Sequence, residues 1–240
     1  MKRISVNVNG VERWVVADPK RSLADVLREQ MMLTGCKVCC ADGQCGSCTV
    51  LIDGKPIRAC VTPMEKLTAG SKIVTIEGIG TPENLHPLQI AWMAHGSAQC
   101  GVCSPGFIMS AKALLDKNLN PTREEVRAWF HRNRNLCRCT GYKPLIDSVM
   151  DAAAIMRGEK TIYDVMPKAK EDGSILGTEY IRPSAVAKVT GTWDFGADLA
   201  LKMPVGTLRL ALVQAEVSHA LIKDIDTSEA EKMVGVERVI

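Results

Sequence analysis

Ten cysteines, all between Cys36 and Cys139, are the residues of this chain whose type and spacing could do chemistry. The opening MKRISVNVNG lacks the long apolar stretch of a secretory signal. That places the chain in the cytoplasm, where reducing conditions disfavour structural disulfides and favour metal or redox uses of thiols. In TGCKVCCADGQCGSC, Cys40, Cys45 and Cys48 form C-x4-C-x2-C, and Cys60 follows as a distant fourth thiol. This is the plant-type spacing of a 2Fe-2S cluster. Gly35, Gly43 and Gly46 permit the tight curvature that lets three thiolates on one loop converge on two irons, and they leave backbone N–H groups open to the cluster sulfurs. A structural zinc site also takes four cysteines, but it favours paired short spacings around one tetrahedral centre. Cys36 and Cys39 are surplus to a four-thiolate site. Cys39 directly precedes Cys40, so a ligand shift by one residue stays open; small buried packing residues are the plainer account of both.

A second set follows. Cys100 and Cys103 stand as C-x2-C, and Cys137 and Cys139 as C-x-C in NLCRCTGYKP. Four such thiols could hold zinc or a second 2Fe-2S cluster, and the short C-x-C pair is unusual for zinc. His86, His95 and His131 lie nearby, but four cysteines already fill a site, and lone histidines in helical segments are more often surface or core residues.

The elements that must position these thiols can be read from periodicity. VNVNG turns at Asn9-Gly10 into VERWVV, a hairpin signal because both turn positions tolerate positive φ. Ser22 and Asp25 open a capping box, with Leu23, Val26, Leu27 and Met31 on one helical face. After the first loop come the strand TVLID and an Asp53-Gly54 turn. Strand, strand, helix and cysteine loop are the opening of a β-grasp ferredoxin. Beyond a break at Gly78–Pro82 the pattern turns helical. Pro87 suits a first helical position before Leu88, Ala91 and Trp92; Ser104 and Pro105 read as cap and first turn of a helix through Phe107, Ile108, Ala111, Leu114 and Leu115. Thr122 and Glu125 cap a helix carrying Val126, Trp129 and Phe130, and Pro144 opens one through Leu145, Ile146, Val149 and Ala153. Helix, cysteine pair, helix thus occurs twice, and a four-helix bundle would bring both pairs together at helix N-termini, where the dipole favours anionic thiolates.

The expected fold class is α+β: a β-grasp 2Fe-2S domain over residues 1–78, a helical 2Fe-2S domain over 82–157, a connecting segment over 158–183, and from 184 to 240 the start of an α/β domain. In that last part TLRLALVQAE alternates as a strand, Ser228 with Glu231 caps a short helix, and GVERVI begins a strand that breaks off at Ile240, so a longer chain is expected. His219, alone after a strand, reads as structural. A formal net charge of +3 and an aromatic content of 4% leave no basic, aromatic-laced footprint for nucleic acid. No stretch is apolar enough to span a membrane, and neither a G-x-G-x-x-G fingerprint nor a P-loop occurs.

Taken together, GQCGSC, ENLHPLQ, QCGVCSPGF and CRCTGYKP resemble, in order and spacing, the motifs of the molybdenum hydroxylase (xanthine oxidase) family, and look most like its flavin-free bacterial aldehyde oxidoreductases. Cys39 departs from the pattern, since the family usually has glycine there. The resemblance implies two 2Fe-2S clusters that carry electrons from a molybdenum site, where aldehyde and water become carboxylic acid, to a soluble acceptor such as flavodoxin or ferredoxin. It implies that Gln99 and Cys139 contact the pterin, molybdopterin cytosine dinucleotide, and that the catalytic residues and most of the pterin pocket lie outside this segment. About 25 residues of connecting segment are too few for a flavin domain, so neither FAD nor NAD is expected. A homodimer is the family expectation. The competing reading is an iron-sulfur small subunit, or a stand-alone electron carrier, of a xanthine dehydrogenase-type or N-heterocycle hydroxylase.

Overall fold

The computed structural model describes residues 1–168, 170–174, 176–178 and 180–240. Residues 1–195 form one compact unit, and residues 196–240 a second.

The first unit opens with the expected hairpin. Strands β1 (Lys2–Val8) and β2 (Val11–Ala17) pair antiparallel with Val8 opposite Val11, and Asn9 and Gly10 turn between them at φ of 53° and 85°. Alternation sends Ile4, Val6 and Val8 of β1 and Val15 and Ala17 of β2 into the core. Ser22 Oγ accepts from the Asp25 amide at 3.1 Å and starts a short α1 (Leu23–Asp25), which runs on as a π-turn over Val26–Gln30. Leu23, Ala24, Val26 and Leu27 are buried there. β3 (Thr49–Ile52), β4 (Lys55–Arg58) and β5 (Lys72–Val74) complete a five-stranded mixed sheet in the order β2-β1-β5-β3-β4, with β1 and β5 parallel. Both faces of β3 are covered: Val50 belongs to the core shared with α1, and Leu51 to a second core built by helices.

That second core sits among α2 (Pro87–Ala94), α3 (Ser104–Leu115), α4 (Arg123–Arg132) and α5 (Lys143–Met156). Trp92, Phe107, Ile108, Leu115 and Leu145 are almost fully buried, and the rings of Phe107 and Phe130 meet edge to face at 4.8 Å. α2 and α4 carry complete capping boxes, from His86 with Gln89 and from Thr122 with Glu125. At α3 the cap position falls to Cys103, so the Ser104 expected as cap is the first helical residue, a shift of one position. A short α6 (Ile162–Val165) follows, then α7 (Ala185–Thr190), which seats Ala185 and Val189 in the helical core.

The second unit holds α8 (Gly196–Lys202) and α9 (Ser228–Lys232). Thr227, rather than Ser228, occupies the α9 cap, and its hydroxyl donates to Glu231 at 2.7 Å. The strands expected over TLRLALVQAE and GVERVI do not form. A strand is stabilised by a neighbour's backbone groups and by one buried face; no described residue after Val74 forms a named strand, and Leu208, Leu210, Leu212 and Val213 are all exposed. No helix is long and apolar enough to cross a membrane among the described residues.

Candidate metal centres

The first cysteine loop is held at its entry by two charged side chains. Arg28, 8% exposed, donates through Nη1 to the carbonyls of Thr34 and Cys36 at 3.1 and 3.0 Å, while the Gly35 amide donates to Glu77 Oε1 at 2.8 Å. The loop then winds through positive φ at Ala41, Gly43 and Gly46, which folds its thiols toward one another. The Cys45 amide donates to Cys40 Sγ at 3.4 Å, and the Cys60 amide to Cys48 Sγ at the same distance. Thiol contacts pair the side chains in the same way, Cys40 with Cys45 and Cys48 with Cys60. Burial pushes the Cys48 thiol up to about 12. Burial also opposes ionisation of Cys45, yet hydrogen bonding with Ser47 and Cys40 brings that thiol below its ordinary value.

The two surplus cysteines separate by environment. Cys36 is buried, donates to the Cys48 carbonyl at 3.6 Å, and is pushed far up by burial, so it serves as packing. Cys39 is exposed; its thiol also reaches Cys45 and feels the charge of Cys100, whereas the Cys45 amide donates to Cys40 Sγ.

The second set is assembled from the ends of helices. Cys100 and Cys103 lie between α2 and α3, Cys137 and Cys139 between α4 and α5. Cys103 pairs with Cys137, and Cys100 with Cys139. A hydrogen bond from Cys103 holds the Cys137 thiol down at about 5 against the effect of burial, with Thr140 Oγ1 donating a further bond at 3.2 Å; the Cys103 thiol is correspondingly raised. Tyr142, at φ 68°, turns its phenolic oxygen back to accept from the Cys137 amide at 3.1 Å. Gln99 is half-buried, and its backbone carbonyl accepts from Lys188 Nζ at 2.7 Å and Arg182 Nη1 at 3.2 Å.

The two sets meet across one seam. The Leu136 amide, next to Cys137, donates to the Cys45 carbonyl at 3.1 Å, and Asn135 Nδ2 lies 3.5 Å from the Gly46 carbonyl. Below them α3 comes so close that a Cβ on Gly106 would run into the carbonyl oxygens of Gly46 and Ser47.

Whether these residues fit 2Fe-2S clusters can be tested on the donors around them. Arg58 Nε and Ser104 Oγ are buried without a hydrogen-bond partner among the described residues. The first lies 3.6 Å from where a Gly43 Cβ would stand, over the first loop; the second directly follows Cys103 at the start of α3. Orphaned buried donors are costly unless something accepts from them, and cluster sulfurs are such acceptors. A zinc centre gathers four sulfurs at about 2.3 Å around one point, whereas two bridged irons take two thiolates each. Among the described residues the proposed ligands stand nearest in the pairs Cys40 with Cys45, Cys48 with Cys60, Cys103 with Cys137 and Cys100 with Cys139, with Cys39 also reaching Cys45. Spacing alone finds the eight thiols. Arg28, Arg58, Ser104 and Lys188 are reached only through the fold; the one signal in sequence is a serine directly after a metal-loop cysteine.

Two family models match the chain: one described as "2Fe-2S iron-sulfur cluster binding domain" over residues 19–93, the other as "[2Fe-2S] binding domain" over residues 75–150. The aldehyde oxidoreductase of Megalodesulfovibrio gigas is 62% identical over 235 residues, covering 98% of this chain and 26% of that protein. The crystal structure of the aldehyde oxidoreductase from Desulfovibrio desulfuricans superposes with a TM-score of 0.92 at 59% identity, covering all of this chain and 26% of that one. The chain therefore spans about a quarter of the length of these relatives. The nicotine 6-hydroxylase small subunit of Paenarthrobacter nicotinovorans is 45% identical over 149 residues, which cover 62% of this chain and 88% of that subunit. With both cluster domains matched and nearly a whole small subunit aligned, the chain belongs to the two-domain 2Fe-2S iron-sulfur chains of the molybdenum hydroxylase family.

Proposed function

We propose that this chain is the electron relay of a molybdenum-dependent, FAD-independent aldehyde oxidoreductase, with Cys40, Cys45, Cys48 and Cys60 holding one 2Fe-2S cluster and Cys100, Cys103, Cys137 and Cys139 the other. The carrying observation is the hydrogen bond from the Leu136 amide to the Cys45 carbonyl, which leaves one peptide unit and one hydrogen bond between a ligand of each set. Bound to these thiolates, the clusters supply one-electron storage at negative potentials. The protein fixes thiolate geometry, supplies donors at Arg58 and Ser104, and keeps the seam between the sets packed.

Direction follows from exposure and resemblance. Cys139 is exposed and Gln99 half-exposed, which suits contact with molybdopterin cytosine dinucleotide outside this segment, where aldehyde and water yield carboxylic acid, two electrons and two protons. The β-grasp set then faces a soluble acceptor such as flavodoxin or ferredoxin. The connecting segment of 158–183 is too short for a flavin domain, and the family resemblance makes a homodimer in the cytoplasm part of the same reading. The domain limits 1–78, 82–157, 158–183 and 184–240 belong to this reading. The match to separate small subunits keeps a second arrangement in view, in which the same relay serves an N-heterocycle hydroxylase from its own chain.

Anaerobic purification, iron and acid-labile sulfide analysis, and EPR after dithionite reduction test the relay. Four irons per chain and two distinct signals are expected. Zinc without iron would sink the reading, and a single signal would leave only one of the two sets standing.

A further inference from the structure

Neither cysteine set draws a ligand from residues 184–195, yet this segment closes over both loops. Gln89 Nε2 donates to the Val189 carbonyl at 3.0 Å, Gly191 rests against Gly35, and Lys37 of the first loop donates to the Trp193 carbonyl at 2.9 Å. The residue that reaches the second set is Lys188, 7% exposed. Its stem lies on Gly101, between Cys100 and Cys103, so closely that a Cβ there would stand 2.6 Å from Lys188 Cδ. Gly101 also has φ +92°, so backbone and space alike reserve that position for glycine. The ammonium donates to the Gln99 carbonyl at 2.7 Å and sits 5.3 Å from the centre of the Trp193 ring, where ring and cation attract. Among the described residues Lys188 has no carboxylate in ion-pair range, so its charge is not cancelled locally, and it acts electrostatically on Cys100.

We propose that Lys188 is a positioning residue for the second cluster's charge: a buried, fixed cation beside Cys100 that favours the one-electron-reduced state and sets that cluster's potential above what its thiolates alone would give. This rests on the cluster reading above. Reduction adds one negative charge with no bond made or broken, and a fixed positive charge within about 10 Å at an effective dielectric near 20 favours it by roughly tenfold in the equilibrium constant, about 59 mV for a one-electron couple.

The test is an EPR-monitored redox titration of the iron-loaded chain as wild type, Lys188→Gln, Lys188→Met and Lys188→Arg. The signals are assigned with a Cys40→Ala chain that lacks the first cluster. Glutamine keeps a donor for the Gln99 carbonyl while removing the charge; arginine keeps the charge. Both signals should persist in every Lys188 variant. The second cluster's potential should fall by about the amount above in Gln and Met, and hold in Arg, with the first cluster unmoved. Equal potentials in wild type and Lys188→Gln would overturn the proposal while leaving the cluster reading intact. A shift in Lys188→Arg as large as in Gln would also overturn it, since loop support rather than charge would then be responsible. Absence of both signals in wild type would remove the cluster reading and this proposal together.

Discussion

Cys39 and Cys40 are adjacent in sequence and opposite in circumstance. Both thiols reach Cys45, but only Cys40 also receives the Cys45 amide, at 3.4 Å, while Cys39 stands exposed. Cys40→Ala should therefore lose two of four irons and one of two EPR signals, whereas Cys39→Ala should keep four irons and both signals. Iron analysis of the two purified variants decides, and the opposite pattern would shift the ligand by one residue. The eight proposed ligands could be named from the sequence because their chemistry depends on spacing along the chain, which is read directly. Arg58 and Ser104 were not, since an arginine in a strand and a serine after a cysteine gain meaning only when the fold buries them without partners. Lys188 was still further from view: 88 residues beyond Cys100 in sequence, it meets Gln99 only because α7 packs back on the helices.

At the level of elements, local chemistry decided most outcomes. The Asn9-Gly10 hairpin and the boxes at His86 and Thr122 are short-range devices, and they formed where their residues stand. The expected strand over Thr207–Glu216 failed for the contrary reason: its alternation is local, but its stability depends on a pairing edge that no described residue around it provides. The His86 cap carries a pH consequence. Its Nδ1 accepts from the Leu88 amide at 3.1 Å, which only the neutral ring can do, and burial, helped by nearby Lys112 and opposed by Asp116, lowers the ring's pKa to about 4. A base whose folded pKa lies below its unfolded value of 6.5 takes up a proton on unfolding. Its contribution is therefore whole above pH 6.5 and is lost as pH falls toward 4, with a slope below the limit of about 1.4 kcal/mol per pH unit because solvent reaches part of the ring. His86→Asn keeps a good cap without a titrating group. Denaturation profiles at pH 7 and pH 5 should show a smaller acid-induced loss for the variant than for wild type; equal losses would mean that His86 titrates normally.

For the molecule as a whole, the decisive feature is the seam where the β-grasp and helical halves meet, and almost none of it was legible. Sequence separates the halves by composition and periodicity, but their contact depends on which faces are left over: Leu51 on the far side of β3, Gly106 in the first turn of α3, Asn135 and Leu136 just ahead of Cys137. Each looks ordinary alone. Gly106 is the sharpest of them, because a glycine in a helix is otherwise unfavourable relative to alanine, by up to about 1 kcal/mol, and here the loss is accepted so that α3 can lie against the backbone of Gly46 and Ser47. Gly106→Ala should thus destabilise despite its better helix propensity. Overpacking against rigid backbone costs about 1–3 kcal/mol, and each kcal/mol lowers Tm by about 2–4 °C in a chain of this size. Gly196→Ala in α8, where an added Cβ meets nothing within 4 Å, is the control and should be neutral or slightly stabilising. Because the seam also carries the Leu136–Cys45 hydrogen bond, Gly106→Ala should slow electron equilibration between the clusters while both still assemble, measured by rapid-freeze EPR after substoichiometric reduction. A variant as stable as wild type, with unchanged equilibration, would show that the close approach of α3 contributes to neither stability nor relay.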